Sequence, residues 1–362
     1  MNFTIFTTLA FTLLSAASFA QPATGSDLYP VVDHGLWGYI NQDGKLIIKP
    51  QYQQADYFYE GLAAVKKNNK WGFVDSRNRM IIEPQTDTVL HFSEGWCAVG
   101  NLDAGLPMQW NYIDAKGQSL QGNEIPGLGF ATNFGNNRAM VSEQGFDEPF
   151  IISRQGRRVI KQGDYYFFTD ADNSRFTEGI LKVMKPAGAA GLYQTVFIDT
   201  AGRILPQYAA DYPATGGFHE GMMWFYKDMK YGFLDHSGHE VIKAQYDTVM
   251  DFSEGLACVW QKMNYNPNNS RLEGGVSGYI NPLGEWVLEP KERQSYSFHD
   301  GLARVLEKGK WGYMNTTGVM VVPADYDEAQ DYFRGFARVK KDGLWYYLNT
   351  SGKAVWQQSK EQ

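Results

Sequence analysis

Cysteine is nearly absent from the 362 residues: Cys97 and Cys258 are the only two, so a disulfide framework is excluded. They lie one position apart in equivalent segments, EGWCAV and EGLACV. A two-residue side-chain period turns them to opposite faces, which predicts separate thiols, at least one of them buried. Long Ala/Leu/Glu/Lys-rich runs are missing, which removes helical bundles and coiled coils. Positive charge is in deficit, with 33 Lys and Arg against 40 Asp and Glu and a net charge of −7. That balance leaves no basic face to follow a nucleic-acid backbone. Histidines number only 6, and no G-x-S-x-G elbow, H-E-x-x-H pair or phosphate-cradling loop occurs. The expectation is a protein that is not an enzyme and needs no cofactor. His236 and His239 flank a turn in DHSGHE, but no third ligand lies nearby in sequence, so they read as turn histidines and no metal is expected.

What is abundant is aromatic residues, 15% of the chain, and glycine, 38 residues, and both recur in a pattern. The phrase WGYINQDGKLIIKP at Trp37 returns as WGFVDSRNRMIIEP at Trp71, YGFLDHSGHEVI at Tyr231, SGYINPLGEWVLEP at Ser277 and WGYMNTTGVMVVP at Trp311. Weaker copies start at Trp110, Pro149, Thr195 and Trp345, so the array runs without a break over residues 28–356. Each copy alternates apolar and polar residues, turns, and alternates again, the pattern of two antiparallel strands joined by a hairpin. One turn position holds Gly44, Asn78 or Gly117 in successive copies, the residue types that enter positive φ cheaply.

A second marker, F-x-E-G followed by L-A-x-V, precedes each hairpin, with Gly61, Gly95 and Gly255 at its corner and Asn137 standing in where Gly is lost. Its acid reads as a carboxylate that accepts local backbone N–H groups at the corner, not as a calcium ligand. A unit is thus three strands, such as LAAVKKN, KWGFVD and RMIIEP. The fold expected is all-β: about nine three-stranded antiparallel units in an open twisted solenoid, with a closed propeller-like ring as the alternative. The solenoid is preferred because no strand is left over at either end to complete a shared blade.

Residues 1–20 are apolar and end in small residues, which reads as a signal peptide cleaved after Ala20. A short linker, 21–27, and a tail, 357–362, flank the array. The mature chain is expected to be exported, periplasmic or secreted, with no membrane span after cleavage.

The hairpin W-G-[YF]-[IV]-[ND]-x-x-G, combined with P-x-[YQ]-D and F-x-E-G-L-A-x-V, resembles the WG-repeat (KWG-repeat) proteins, found mainly in bacteria. The units at Trp37, Trp71 and Trp311 match in full. Those at Pro149 and Thr195 lack the Trp-Gly pair, and Asn111 replaces the glycine after Trp110. The resemblance implies an interaction module and brings no catalytic residues. The last hairpin, DGLWYYLNTSGKAVW, also resembles choline- and glucan-binding cell-wall repeats, whose aromatic platform would fall on Trp345, Tyr346, Tyr347 and Trp356.

Four loops between the first and second strands are enlarged: 100–109, 142–149, 184–194 and 261–275. They occupy equivalent places, so they should emerge on one side, where binding concentrates. Tyr193, Tyr265 and Arg271 are the contact residues this suggests. The expected role is a non-catalytic scaffold that binds another envelope or extracellular protein. A cell-wall glycan or choline-type ligand held by exposed aromatics is the alternative, and nucleic acid is not expected.

Overall fold

A computed structural model describes residues 28–102, 107–120, 127–143, 148–160, 164–168, 174–187, 193–208, 214–266 and 271–359. The signal peptide and linker expected at 1–20 and 21–27 lie outside these residues, as do parts of all four enlarged loops. The described residues form strands and connections with no helix. Nine antiparallel sheets of three or four strands follow one another along the chain, at 29–52, 54–86, 88–113, 130–160, 166–199, 214–246, 248–291, 294–326 and 328–357. One further two-stranded hairpin lies inside the seventh.

The nine sheets are the blades of a closed ring, and they pack face to face. Phe73 of blade 2 shares a core with Phe92 and Cys97 of blade 3, and Tyr39 of blade 1 packs on Phe58 and Ala63 of blade 2. The same packing joins the ends of the chain: Tyr29, Val31 and Ile40 of blade 1 form one buried cluster with Phe336 and Tyr347 of blade 9. The open solenoid is therefore corrected to the closed ring, the alternative. The sequence argument that favours the solenoid is the lack of a blade shared by both termini. Among the described residues blades 1 and 9 are each built from one continuous segment, and side-chain packing closes the ring without a shared sheet.

The three-stranded unit is also corrected. The connection through F-x-E-G is itself a strand, for example Gln54–Tyr59, which pairs with Leu62–Lys67 and forms the inner edge of blade 2. A full blade runs inner, second, third and outer strand. Blade 1 shows only the last three among the described residues, Tyr29–Asp33, Leu36–Ile40 and Leu46–Tyr52.

The Trp-Gly pair has a specific mechanical reason. The outer strand of blade 2 jumps register, with Phe73 opposite Ile82 but Trp71 opposite Thr86, and the bulge folds across Gly72. A Cβ there would lie 2.5 Å from the Ile82 carbonyl oxygen and 2.7 Å from the Pro84 nitrogen. The proline fits because the bulge takes its nitrogen out of the ladder. The Asn or Asp that ends the third strand clamps the following turn: Asp75 Oδ1 accepts the amides of Arg77 (3.0 Å) and Arg79 (2.9 Å). The third residue of the hairpin motif stitches blades where it is tyrosine. Tyr39, Tyr112, Tyr279 and Tyr313 donate their hydroxyls to the carbonyls of Asp56, Thr132, Tyr296 and Gln330 on the next blade's inner-strand segment.

The corner turns couple the ring. Both central residues are left-handed: Glu60 has φ 52° and Gly61 86°, and Asn136 and Asn137 have 54° and 60°. Gly44, Asn78, Gly117, Gly95 and Gly255 likewise have positive φ. The acid accepts amides as expected, but from the following blade and not from its own turn. Glu60 takes Gly95 N–H (2.9 Å), Glu94 takes Asn137 N–H (2.8 Å), Glu254 takes Gly301 N–H (2.8 Å) and Asp300 takes Gly335 N–H (2.8 Å). Glu220 holds two amides, those of Glu254 (2.7 Å) and Gly255 (2.8 Å). Glu220→Ala is expected to lower stability by about 1 to 2 kcal/mol, the range of an accessible charge-assisted bond. Urea denaturation checks this, and an unchanged midpoint would remove the coupling role.

Candidate functional site

Antiparallel order gives the ring two unlike faces. Corner turns and third-to-outer hairpins lie on one, the turn face. Second-to-third loops and the connections between blades lie on the other, the loop face. All four enlarged loops therefore leave from the loop face, and at two of them an Asp of the repeat, paired with a Lys, anchors the base. Lys70 pairs with Asp87 of the next blade at 2.6 Å, and Asp87 also accepts the amide of Leu102 at 2.9 Å, where the first enlarged loop begins. Lys230 pairs with Asp247, which holds the Met263 amide at 3.0 Å, and Lys310 pairs with Asp327 at 2.5 Å.

Above this base the loop face presents apolar tips. Tyr193 (47% exposed) packs edge-on against Tyr166 (48%), with ring centroids 4.6 Å apart. The 261–275 insertion contains its own hairpin, Asn264–Asn266 with Arg271–Glu273, which sets Tyr265 (63% exposed) opposite Leu272. Arg271 stands in the return strand of that hairpin. Leu102 and Met229 are exposed on the same face. Met229 was not singled out by sequence because its connection, KDMK, is not enlarged.

The aromatic platform of the last hairpin is arranged otherwise. Tyr347 is buried at 3% exposure and gives its hydroxyl to Pro30 O of blade 1. Trp356 packs on Tyr347, Tyr346 packs on the core between blades 8 and 9, and Arg338 lies 3.9 Å over the Trp345 ring. These four rings do not make a common open surface. The histidines of DHSGHE are engaged separately: His236 Nε2 is 2.7 Å from Glu178 of blade 5, and His239 Nδ1 is 2.7 Å from Ser237 Oγ. Both thiols are free and buried, and burial pushes their pKa values up. Cys97 faces the preceding blade and Cys258 the following one. Neither is expected to react with maleimide until the protein is unfolded, which mass spectrometry of labelled samples checks.

The axis was missed by sequence reading, because the side chains that meet there are far apart in the chain. Tyr59 of blade 2 stacks on His91 of blade 3 at 4.2 Å, Asn133 Nδ2 of blade 4 lies 3.0 Å from His91 Nε2, and Arg334 of blade 9 sits 5.2 Å over Tyr59. Burial, reinforced by the charges of Arg175 and Arg334, pushes the His91 pKa down to about 4. The folded state holds this imidazole neutral, whereas the unfolded chain takes up its proton near pH 6.5. His91 therefore subtracts stability as pH falls from about 6.5 towards 4 and nothing above that window. His91→Gln is expected to flatten the decline of Tm across the window relative to the parent protein. Parallel slopes would show that His91 does not titrate this way.

The model of the WG-containing repeat matches residues 37–71, 71–101, 231–261, 278–311 and 311–345. No curated protein sequence matches the chain. Among solved structures, Kluyveromyces lactis Hsv2 is similar at 8% identity over 83% of this chain and 95% of that one, with a TM-score of 0.32. Streptogramin B lyase is similar at 15% identity over 80% and 98%, with a TM-score of 0.30. Porphyromonas gingivalis dipeptidyl peptidase 4 is similar at 10% identity and a TM-score of 0.39, over 83% of this chain but only 52% of its own length. Likeness at this level carries no function across. The ring stands on its own contacts, and the repeat motif with its five matches makes the chain a member of the WG-repeat proteins.

Proposed function

We propose that the ring is a non-catalytic, exported scaffold whose loop face binds another protein of the cell envelope or the extracellular space. The observation that carries this reading is the exposure of Tyr166, Tyr193 and Tyr265 on the loop face, with Tyr265 on an enlarged loop whose base is held by the blade-bridging Lys230–Asp247 pair. Tyrosine offers large contact area at small conformational cost, and such side chains on a rigid frame dominate protein interfaces. Export rests on the apolar first twenty residues.

The test is crosslinking capture with residues 21–362 against the host's envelope extract, beside sedimentation with purified cell wall. Tyr193→Ala and Tyr265→Ala should each weaken binding of the captured protein by about tenfold or more. Capture that ignores both substitutions would refute the loop face. Retention on cell wall that depends on Trp345 or Trp356 would move the reading to a glycan.

A further inference from the structure

The hydroxyl stitch between blades has a fixed address. Tyr39, Tyr112, Tyr279 and Tyr313 all reach the carbonyl at one place before the next blade's corner, held by Asp56, Thr132, Tyr296 and Gln330. In blades 2 and 8 that residue sits in an inner-strand bulge, between Ala55 and Phe58 and between Ser295 and Phe298, where it has no ladder partner. Its carbonyl therefore needs a donor from outside the sheet. Where the tyrosine is lost, another group can supply one. Blade 2 has Phe73 at the stitching position, and the Cys97 thiol of blade 3 serves the Leu90 carbonyl at 3.1 Å.

Between blades 5 and 6 the same address falls on Gly216, in the bulge between Thr215 and Phe218. Phe197 stands at the stitching position and has no hydroxyl to send across. Met223 stands where blade 3 has Cys97, and a thioether donates nothing. A cavity remains at this point, lined among others by Phe197, Gly216, Met223, Arg175 and Thr177. It leaves about 10 Å³ of room for the centre of a water molecule, enough for one. Nothing larger fits, because a Cβ on Gly216 would already lie 2.2 Å from Trp224 Nε1, and one on Gly217 2.7 Å from Thr177 Oγ1.

Cavities that stay dry are apolar, and this one is not. Arg175 Nε is shielded from solvent without a hydrogen-bond partner. Thr177 Oγ1 accepts the Phe218 amide at 2.9 Å, which leaves its hydroxyl proton to be donated. We infer that the cavity binds one structural water in the place of the missing tyrosine hydroxyl. The water donates to Gly216 O and accepts from Arg175 Nε–H and the Thr177 hydroxyl, so it satisfies a carbonyl of blade 6 and two side chains of blade 5 at once. The stitch is kept with a solvent oxygen where other junctions use a side-chain one. This site is separate from the loop face and does not depend on the function proposed for it.

High-resolution crystal structures of residues 21–362 and of the Phe197→Tyr protein test the inference. The parent is expected to show a water peak about 2.7 to 3.2 Å from both Gly216 O and Arg175 Nε. In Phe197→Tyr the peak should be lost and the new hydroxyl should lie on Gly216 O. Arg175→Met, which takes away one of the three partners and leaves Phe197 in place, should weaken or remove the peak. The parent map decides by itself whether the water is there: no density at Gly216 O overturns the inference. A peak that survives beside the new hydroxyl, or one indifferent to Arg175→Met, overturns it as well.

Discussion

Gly312→Ala is expected to cost about 3 kcal/mol or more and to leave little folded protein at physiological temperature. In blade 8 the new methyl would sit 2.5 Å from Val322 O, 2.7 Å from Ala324 N and 2.8 Å from the Pro323 carbonyl carbon. All three are backbone atoms of the outer-strand bulge, so no rotamer change relieves the contact and the strand must lift. A lifted outer strand uncovers Tyr313 and Val322, both buried against the blade 9 core. Gly301→Ala is the control. Nothing lies within 4 Å of its Cβ, and only its φ of +78° is unfavourable, which costs about 1 to 2 kcal/mol. Urea midpoints of the two variants should differ in that order, and equal midpoints would mean that the bulge does not press on the glycine.

Tyr347→Ala should destabilise the ring by about 3 to 5 kcal/mol, and Tyr347→Phe by about 1. The side chain belongs to the cluster that joins blade 9 to blade 1, meeting Tyr29, Val31, Ile40 and Phe336. Its hydroxyl serves Pro30 O, which an inner strand would otherwise neighbour in blade 1. The seam has few other ties. Tyr29 donates its hydroxyl to Arg334 O and Arg334 donates Nη1–H to Phe58 O, both at 2.5 Å, and Ser359 N–H reaches Asp33 at 3.0 Å. Truncating Tyr347 should therefore open the ring before the blades unfold, visible as early exposure of amides in residues 29–40 to hydrogen exchange. Uniform exchange across all blades would argue against a local seam.

Much of this architecture is legible in the sequence. Repeat length, the hairpin, and the left-handed turn residues at Gly44, Asn78 and Asn137 follow from period and from the short set of residue types that tolerate positive φ. The inner strand was hidden because its segments, such as Thr88–Val89 or Glu328–Ala329, are too short to show alternation. Ring closure was hidden because curvature is set by how neighbouring blades pack, which a single unit's sequence does not display. The corner acid was recognised as a backbone acceptor, yet its partner lies 35 residues on in the case of Glu60 and Gly95. Loop tips Tyr193 and Tyr265 could be marked because insertions stand out against a repeat. Arg175 and His91 could not, since each is one polar residue in the irregular stretch between an inner strand and its corner, and only the folded ring brings the Arg175 charge near the His91 ring.

Arg334 occupies the corner place that Asp or Glu holds in most blades, and it reaches past blade 1 to the Phe58 carbonyl of blade 2. Corners from eight blades thus link hand to hand inside nine sheets, and the first blade is a keystone wedged from outside. Because, among the described residues, no sheet is divided between the two ends of the chain, a gene that gained or lost one whole unit would change the circumference without rethreading any blade. Only the long cation at the join would need to match the new gap.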